Sequence, residues 1–169
     1  MGMLGPTCIL TAGLDEKSQA FFDEMRFRYF PEERNLLRAH LTLFHKLPDT
    51  EQTQKILAGL DQQIFLSSVN SIKNIGRGVA YFIDCNELSK LHSYLQQQFL
   101  SELSAQDQQV IRPHITIQNK VKPEEARALL NILQTGFAPF QITVHGLDLW
   151  HYLDGPWAHC RYFPFKPLS

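Results

Sequence analysis

The feature that most constrains the fold is a four-residue pattern that occurs twice in the chain. His40-Leu41-Thr42-Leu43 and His114-Ile115-Thr116-Ile117 both alternate polar and apolar residues. Such alternation is typical of a strand that is buried on one face only, because neighbouring side chains of a strand point to opposite faces. In each copy the histidine and the threonine therefore share one face, and the two aliphatic residues share the other.

The segments that follow the two copies are also alike. Each copy is followed by a helical pattern and then by two strands joined by a turn that contains glycine. This order covers residues 40–85 and returns over residues 114–165, which indicates an internal duplication. Over the whole chain the predicted strands are residues 7–12, 39–44, 64–74, 79–85, 114–117, 138–152 and 157–165, and the predicted helices are 15–29, 51–60, 86–99 and one that begins at Lys122.

We therefore predict an α+β fold with two similar antiparallel sheets, outer helices and a central cleft. The 169 residues are expected to form a single domain of two pseudo-symmetric lobes, since one domain holds roughly 100–200 residues. Residues 101–109 are polar and are predicted to be an internal linker. If a twofold axis relates the lobes, the polar faces of the two motif strands meet across one cleft.

Two imidazoles and two hydroxyls around one point suit phosphodiester chemistry. One histidine can remove a proton from an attacking water or hydroxyl while the other protonates the leaving oxygen, and a pKa near 6.5 suits both tasks. Threonine hydroxyls can donate hydrogen bonds to phosphate oxygens. The catalytic candidates are thus His40 and His114, and the substrate-binding candidates are Thr42 and Thr116. This scheme needs neither a metal nor a cofactor.

Charge and cysteine content restrict the expected partners and compartment. The chain has 16 Lys and Arg against 17 Asp and Glu, whereas binders of long nucleic acid usually carry a basic excess. A nucleotide or short RNA is therefore the expected substrate, and neither DNA nor a membrane is an expected partner. The chain has three cysteines without a Cys-x-x-Cys pair, no long apolar run, and no secretory pattern in residues 1–6. These features favour a cytoplasmic protein, and we also expect it to be a monomer.

The other histidines carry weaker signals. We expect His45 to point away from the cleft and His92 to be solvated on its helix. His145, His151 and His159 lie on the last two strands without the spacing typical of metal ligands.

Aromatic residues and arginines near the hairpins are secondary candidates. Most of the aromatic residues are expected in the core, but one or two could stack a nucleobase; they are Phe82, Trp150, Tyr152 and Trp157. The arginines that could contact phosphate are Arg77, Arg112 and Arg161, although an ordinary surface position is the simpler interpretation for each.

The two motifs resemble those of the 2H phosphoesterase superfamily, particularly its branch of 2′-5′ RNA ligases and RNA 2′,3′-cyclic phosphodiesterases. The resemblance covers essentially the whole chain and implies a metal-independent enzyme that acts on cyclic phosphates or 2′-5′ linkages. It also implies that His40 and His114 are the acid/base pair and that Thr42 and Thr116 contact the phosphate. In this branch a basic residue often follows the second motif, whereas here Gln118-Asn119-Lys120 follow.

Three functions are consistent with these residues. The first is a phosphodiesterase that opens nucleoside or RNA-terminal 2′,3′-cyclic phosphates, with 2′-5′ ligation as the reverse reaction. The second is a hydrolase of the same fold that acts on another phosphoester, such as an ADP-ribose cyclic phosphate. The third is a module that binds a nucleotide or RNA without turnover. Two intact His-Thr pairs argue against the third, because binding alone has no chemical need for two histidines.

Overall fold

The predicted strands and helices are present in the computed structural model, which describes residues 6–168. The expectation that residues 1–6 have no secretory pattern therefore concerns residues of which only Pro6 is described. The strands are β1 (Thr7–Leu14), β2 (Thr42–Pro48), β3 (Phe65–Asn74), β4 (Val79–Asp84), β5 (His114–Gln118), β6 (Phe140–Tyr152) and β7 (Trp157–Pro164). The helices are α1 (Glu16–Tyr29), α2 (Glu51–Ala58), α3 (Asn86–Gln98) and α4 (Pro123–Gln134), with 3-10 turns at Glu32–Arg34 and Leu100–Glu102.

Three of the helices begin where the sequence supplies a suitable first turn. The Asp15 carboxylate accepts a hydrogen bond from the backbone N–H of Ser18, and the Thr50 hydroxyl accepts one from that of Thr53. Pro123 occupies the first turn of α4, where the N–H that proline lacks has no helical partner. Among residues 6–168, no helix has the length and apolar character needed to cross a membrane.

The seven strands form one antiparallel sheet in the order β2-β1-β6-β3-β4-β5, with β7 also paired to β6. The α+β class is therefore confirmed. Two separate sheets were expected, but the strands are continuous because β6 has 13 residues and connects the two groups. One edge of β6 pairs with β1, while its other edge pairs first with β3 and then with β7.

The first and last strands of this order approach each other. An isolated antiparallel bridge joins Leu41, just before β2, to Ile115 of β5. The Leu41 carbonyl also accepts a hydrogen bond from the backbone N–H of Ala12 on β1, at 2.9 Å. The sheet is therefore curved so strongly that its two ends meet at the two His-x-Thr segments.

The two motif segments have one buried and one accessible face. Leu41, Leu43, Ile115 and Ile117 are at most 2% exposed and belong to the main core. The histidines and threonines between them are half-buried or exposed. The first segment is only partly a strand, because β2 begins at Thr42 and leaves His40 just outside it.

The element order β, α, β, α, β occurs twice, first from β1 to β3 and then from β4 to β6. A His-x-Thr segment lies at the second strand of each run. The strand before each motif, β1 or β4, pairs with the motif strand, β2 or β5. Equivalent elements therefore place the two motifs.

Residues 101–109, predicted as an internal linker, connect α3 to β5, and most of them are exposed. One buried side chain fixes the segment to β2: the Asp107 carboxylate is only 3% exposed and accepts hydrogen bonds from the backbone N–H groups of His45 and Lys46 at 2.8–3.0 Å. Although burial opposes ionisation, the bonds from the His45 ring and from these N–H groups hold the pKa of Asp107 below its ordinary value. The polarity of the segment did not predict this anchor.

The prediction that His92 is solvated was also wrong. His92 is 3% exposed, its ring stacks on Phe44 at 4.5 Å, and its Nε2 lies 3.1 Å from the Leu43 carbonyl oxygen. Helical spacing explains this position, because His92 follows Leu88 by one helical turn and shares the buried face of α3.

Candidate active site

The bridge between Leu41 and Ile115 brings the two motifs side by side. In an antiparallel pair, the residue before one bridge partner lies opposite the residue after the other, with Cα atoms roughly 4.5–5.5 Å apart. Both bridge residues are fully buried, so the residues next to them present their side chains on the opposite face. The bridge thus places His40 opposite Thr116 and Thr42 opposite His114.

The two histidine rings are held by the same kind of backbone contact. His40 Nδ1 lies 2.7 Å from the Arg38 carbonyl oxygen, and His114 Nδ1 lies 2.7 Å from the Arg112 carbonyl oxygen. A carbonyl oxygen can only accept, so each Nδ1 carries a proton and donates it. The other nitrogen, Nε2, then accepts a proton when the ring is neutral and donates one when it is charged.

Helix α1 fixes the segment that carries His40 even though this residue lies outside β2. The Gln19 side-chain amide donates to the Ala39 carbonyl at 2.8 Å, and the Ala39 N–H donates to the Asp23 carboxylate at 2.8 Å. The Arg38 guanidinium binds the same carboxylate at 2.9 Å. The position of His40 therefore depends on residues of α1 that are distant in sequence.

His40 is electrostatically unlike a free histidine. Burial is the main cause that lowers its pKa from the ordinary value of 6.5 to about 4, and the positive charges of Arg26 and His114 contribute in the same direction. The indole of Trp157 covers the ring, with a centroid distance of 4.6 Å. His40 is therefore neutral at neutral pH and able to accept a proton at Nε2.

Arg26 is a site residue that was not found from the sequence. It lies on the inner side of α1, is 4% exposed, and donates hydrogen bonds to the Thr116 carbonyl and the Asn35 side chain, both at 3.1 Å. Burial lowers its pKa to about 10, which still leaves the guanidinium charged at neutral pH. Its spacing of one turn from the buried Phe22 was the available signal, since that spacing places both residues on one helix face.

Two cavities adjoin His40. The larger has a volume of about 500 Å³, with apolar walls from Leu36, Leu37, Trp150 and Trp157 and polar groups from Asp148 and His159. The Trp150 indole N–H donates to the Thr11 hydroxyl at 2.9 Å, and His159 Nε2 lies 2.7 Å from the Asp148 carboxylate. These contacts fix both the aromatic and the polar parts of the wall.

The smaller cavity, of about 340 Å³, has a cationic lining next to His40 and Thr116. Arg26, Arg34 and Lys120 contribute to it. Lys120 has a φ of 64°, in the left-handed region, and so marks a sharp turn two residues after β5 ends. Three basic side chains therefore line this cavity, although no basic residue directly follows the second motif.

His114 has different neighbours on the other side of the bridge. Its ring stacks on Phe82 with a centroid distance of 5.3 Å and an interplanar angle of 24°. Lys73 Nζ lies 4.9 Å from the centre of the Phe82 ring, and Arg112 Cζ lies 5.7 Å from it. Phe82 and Arg112, two of the secondary candidates from the sequence, therefore adjoin a motif histidine.

The other two candidate arginines make contacts with protein groups. Arg77 Nε donates to the Val121 carbonyl at 3.2 Å, and the Arg161 guanidinium donates to the Gln54 side chain at 3.1 Å. Neither contributes to the two cavities beside His40.

One group of side chains away from the motifs has the composition of a metal site. Cys8, Asp49 and His151 each place one possible ligand atom within 4.8 Å of the others. Burial and the neighbouring Asp49 carboxylate raise the pKa of the Cys8 thiol to about 12. His151 Nε2 lies 3.1 Å from the Asp49 carboxylate, so the group contains a carboxylate–imidazole pair next to a buried thiol.

A single antiparallel sheet in which two His-x-Thr segments meet defines the class of two-histidine phosphoesterases. The chain belongs to the 2′-5′ RNA ligase superfamily, whose family model matches residues 14–156. The resemblance found in the two motifs is thereby confirmed, and the family is one of phosphoesterases and ligases.

Solved structures with the same fold are distant in sequence. Escherichia coli LigT complexed with 3′-AMP is 17% identical, with a TM-score of 0.61 over 95% of this chain and 98% of that chain. TT0787 of Thermus thermophilus is 14% identical, with a TM-score of 0.67 over 96% of this chain and 100% of that chain. A comparison with curated proteins finds no match.

Proposed function

We propose that this protein is a metal-independent phosphodiesterase that opens 2′,3′-cyclic phosphates of nucleosides or RNA ends, with His40 and His114 as its acid/base pair. The observation that carries the proposal is the crosswise placement of the two motifs at the Leu41–Ile115 bridge. It sets two imidazoles, each with its Nδ1 proton fixed by a backbone carbonyl, beside two threonine hydroxyls.

In the proposed reaction, water attacks the phosphorus atom of the cyclic phosphate. One histidine takes the water proton at Nε2 while the other gives its Nε2 proton to the departing 2′ or 3′ ribose oxygen. One P–O bond forms and one breaks, and the product is a phosphomonoester. Each positioned acid or base contributes about 10²–10⁴-fold to the rate. When the 5′ hydroxyl of a second nucleotide replaces water, the same two roles form a 2′-5′ linkage, and the ribose oxygen leaves with the proton of the acid. The roles exchange when a ribose hydroxyl attacks that linkage and the 5′ oxygen leaves.

The groups around the histidines suit an anionic transition state. Thr42 and Thr116 can donate hydrogen bonds to the non-bridging phosphate oxygens. Arg26 and Lys120 add positive charge in the smaller cavity. Because other protein groups already fix Arg26, its charge is oriented before the substrate binds.

The larger cavity suits the nucleoside that carries the phosphate. Its volume is in the range of small-ligand sites, and Trp157 offers an aromatic face beside His40. The LigT structures were obtained with 3′-AMP, with ATP and with NADP+, which are nucleotides. A nucleotide substrate for this chain is consistent with those complexes.

The test is a hydrolysis assay in EDTA with the four nucleoside 2′,3′-cyclic monophosphates, a short RNA ending in a cyclic phosphate, and an ADP-ribose cyclic phosphate. Products are separated against 2′- and 3′-phosphate standards. We expect turnover of the nucleoside or RNA substrates and a loss of at least about 100-fold in His40→Ala and in His114→Ala. His151→Gln, which alters a histidine outside the cleft, should keep the activity.

Three outcomes would contradict the proposal. Full activity in either motif-histidine variant would exclude the two-histidine mechanism. Turnover of only the ADP-ribose substrate would instead support the related hydrolase. Tight nucleotide binding without any product would support a binding module.

A further inference from the structure

A second aromatic and basic cluster lies across the bridge from the nucleoside-sized cavity. It consists of Phe82, Lys73 and Arg112, and it lines a pocket of about 300 Å³ on β3, β4 and the segment before β5. Phe82 is the register partner of His114 in the pairing of β4 with β5. The cluster therefore begins directly beside a motif histidine.

The two cations of this cluster are available for a ligand. Lys73 and Arg112 are exposed, and among the ion pairs of residues 6–168 neither has an acidic partner. Both lie over the Phe82 ring. The only carboxylate that lines this pocket within the described chain is the exposed Asp84, so positive groups are in excess. A half-buried aromatic ring with two free cations beside it can contact a base while the cations bind the phosphate backbone.

The position of the cluster decides what it would bind. The nucleoside that carries the reacting phosphate is assigned to the cavity beside His40, and the phosphate to the bridge. A group on the far side of His114 is then a neighbouring part of the same substrate. Its chemistry must include an aromatic ring and negative charge.

We propose that Phe82, Lys73 and Arg112 form a subsite for a second nucleotide of an RNA substrate. This inference rests on the proposed function for the position of the first nucleotide. Two substrate types can present a second nucleotide: an RNA chain that precedes a terminal cyclic phosphate, and a dinucleotide joined by a 2′-5′ linkage. Both offer a second base to Phe82, and the RNA chain also offers a second phosphate to the cations. The single base and phosphate of 2′,3′-cyclic AMP are assigned to the cavity and the bridge, so it offers nothing further to the cluster.

The test compares substrates that contain one nucleotide with those that contain more. The measured quantity is the ratio of kcat/KM for a short RNA with a terminal cyclic phosphate to kcat/KM for 2′,3′-cyclic AMP. A 2′-5′ ApA dinucleotide is assayed in parallel. In Lys73→Gln/Arg112→Gln we expect this ratio to fall about tenfold or more, mainly through a higher KM for the RNA. Phe82→Leu should lower it about fivefold.

A matched control removes the same charges elsewhere. Lys90→Gln/Arg127→Gln changes two exposed cations on α3 and α4 and should leave the ratio within about twofold. An equal fall in this control, or an unchanged ratio in Lys73→Gln/Arg112→Gln, would overturn the subsite. If the substitutions lower kcat/KM only for the RNA with a terminal cyclic phosphate, the subsite binds the preceding RNA chain. If they lower it only for the 2′-5′ dinucleotide, the subsite binds the nucleotide on the other side of the reacting phosphate.

Binding measurements separate a failure of the subsite from a failure of the proposed reaction. Fluorescence anisotropy of a labelled RNA ending in a 3′-phosphate needs no turnover. In Lys73→Gln/Arg112→Gln, the salt dependence of binding should weaken by about one ion for each phosphate-binding cation that is removed. RNA binding with this salt response but without hydrolysis would keep the subsite and reject the phosphodiesterase. Hydrolysis with an unaltered salt response would keep the phosphodiesterase and reject the subsite.

Discussion

The two motif histidines have equal backbone geometry and unequal surroundings. Each ring donates its Nδ1 proton to the carbonyl two residues earlier, at the same distance of 2.7 Å. His40, however, lies beneath Trp157 beside a cavity of about 500 Å³. His114 is exposed and stacks on Phe82 between two free cations.

This contrast shows which parts of a duplicated fold can diverge. The proposed reaction needs two similar groups, one on each side of a phosphorus atom, which agrees with the equal hydrogen bonds that orient the imidazoles in both halves. The proposed substrate is asymmetric, since one side of its phosphate carries the ribose and the other faces the attacking group. The side chains around the two histidines therefore differ, although equivalent strands carry the two histidine motifs.

The largest expected effect is the loss of activity when either motif histidine is replaced, and it can show which histidine is the acid and which is the base. His40→Ala and His114→Ala should each lower kcat/KM for a cyclic phosphate by about 10²–10⁴-fold. With thymidine 3′-(p-nitrophenyl phosphate), the leaving group departs without a proton, so the variant that lacks the acid should recover most of its loss. The variant that lacks the base should stay impaired. Equal impairment of both variants on both substrates would show that the halves do not divide the work in this way.

A second prediction concerns Arg26, which connects the two halves because it extends from α1 to the Thr116 carbonyl. Arg26→Ala leaves the Thr116 carbonyl and the Asn35 side chain without their charged donor. We expect a loss of about 2–4 kcal/mol in the free energy of unfolding, measured by urea denaturation.

The control for Arg26 lies on the same helix. Arg28 forms an exposed pair with Glu24 at 2.9 Å, and solvent screens exposed pairs, so Arg28→Ala should change the free energy of unfolding much less than Arg26→Ala. Similar losses in the two variants would mean that Arg26 contributes only as a surface charge and does not hold the halves together.

The α+β class, the elements and the shared face of the motif histidines and threonines could be predicted, because each depends on local periodicity. Alternation separated His40 and Thr42 from Leu41, and the repeated element order predicted a duplication. The strand-to-strand connection through β6 could not be predicted, since pairing partners depend on contacts that are remote in sequence. The same reason hid the burial of Asp107, whose donors lie about 60 residues away in β2.

The electrostatic part of the site was not predictable for a related reason. The low pKa of His40 comes mainly from burial of its ring, and one of the groups in contact with the ring is Trp157, which lies far away in sequence. His92 and Arg26 were different, because helical spacing from Leu88 and Phe22 already placed them on buried faces. The polarity of His92 favours a solvated position, whereas its place on the helix favours burial, and the structure shows that burial prevails.

The smallest expected effect concerns the pKa of His40 and tests whether contact with Trp157 lowers it. Trp157→Ala should let water reach the ring and raise the pKa of His40 from about 4 toward 6.5, by about one unit, as measured by NMR titration of the ring protons. If His40 must be neutral to act, the fall of kcat/KM on the acid side moves to higher pH by the same amount. A pKa that is lower in the folded than in the unfolded state adds stability that disappears as pH falls from about 6.5 to 4. The variant should therefore also lose less stability over this range.

Phe82→Ala is the matched control beside His114 and should leave the pKa of His40 unchanged. Equal pKa shifts in the two variants would show that the cleft as a whole, and not Trp157, sets the charge of His40.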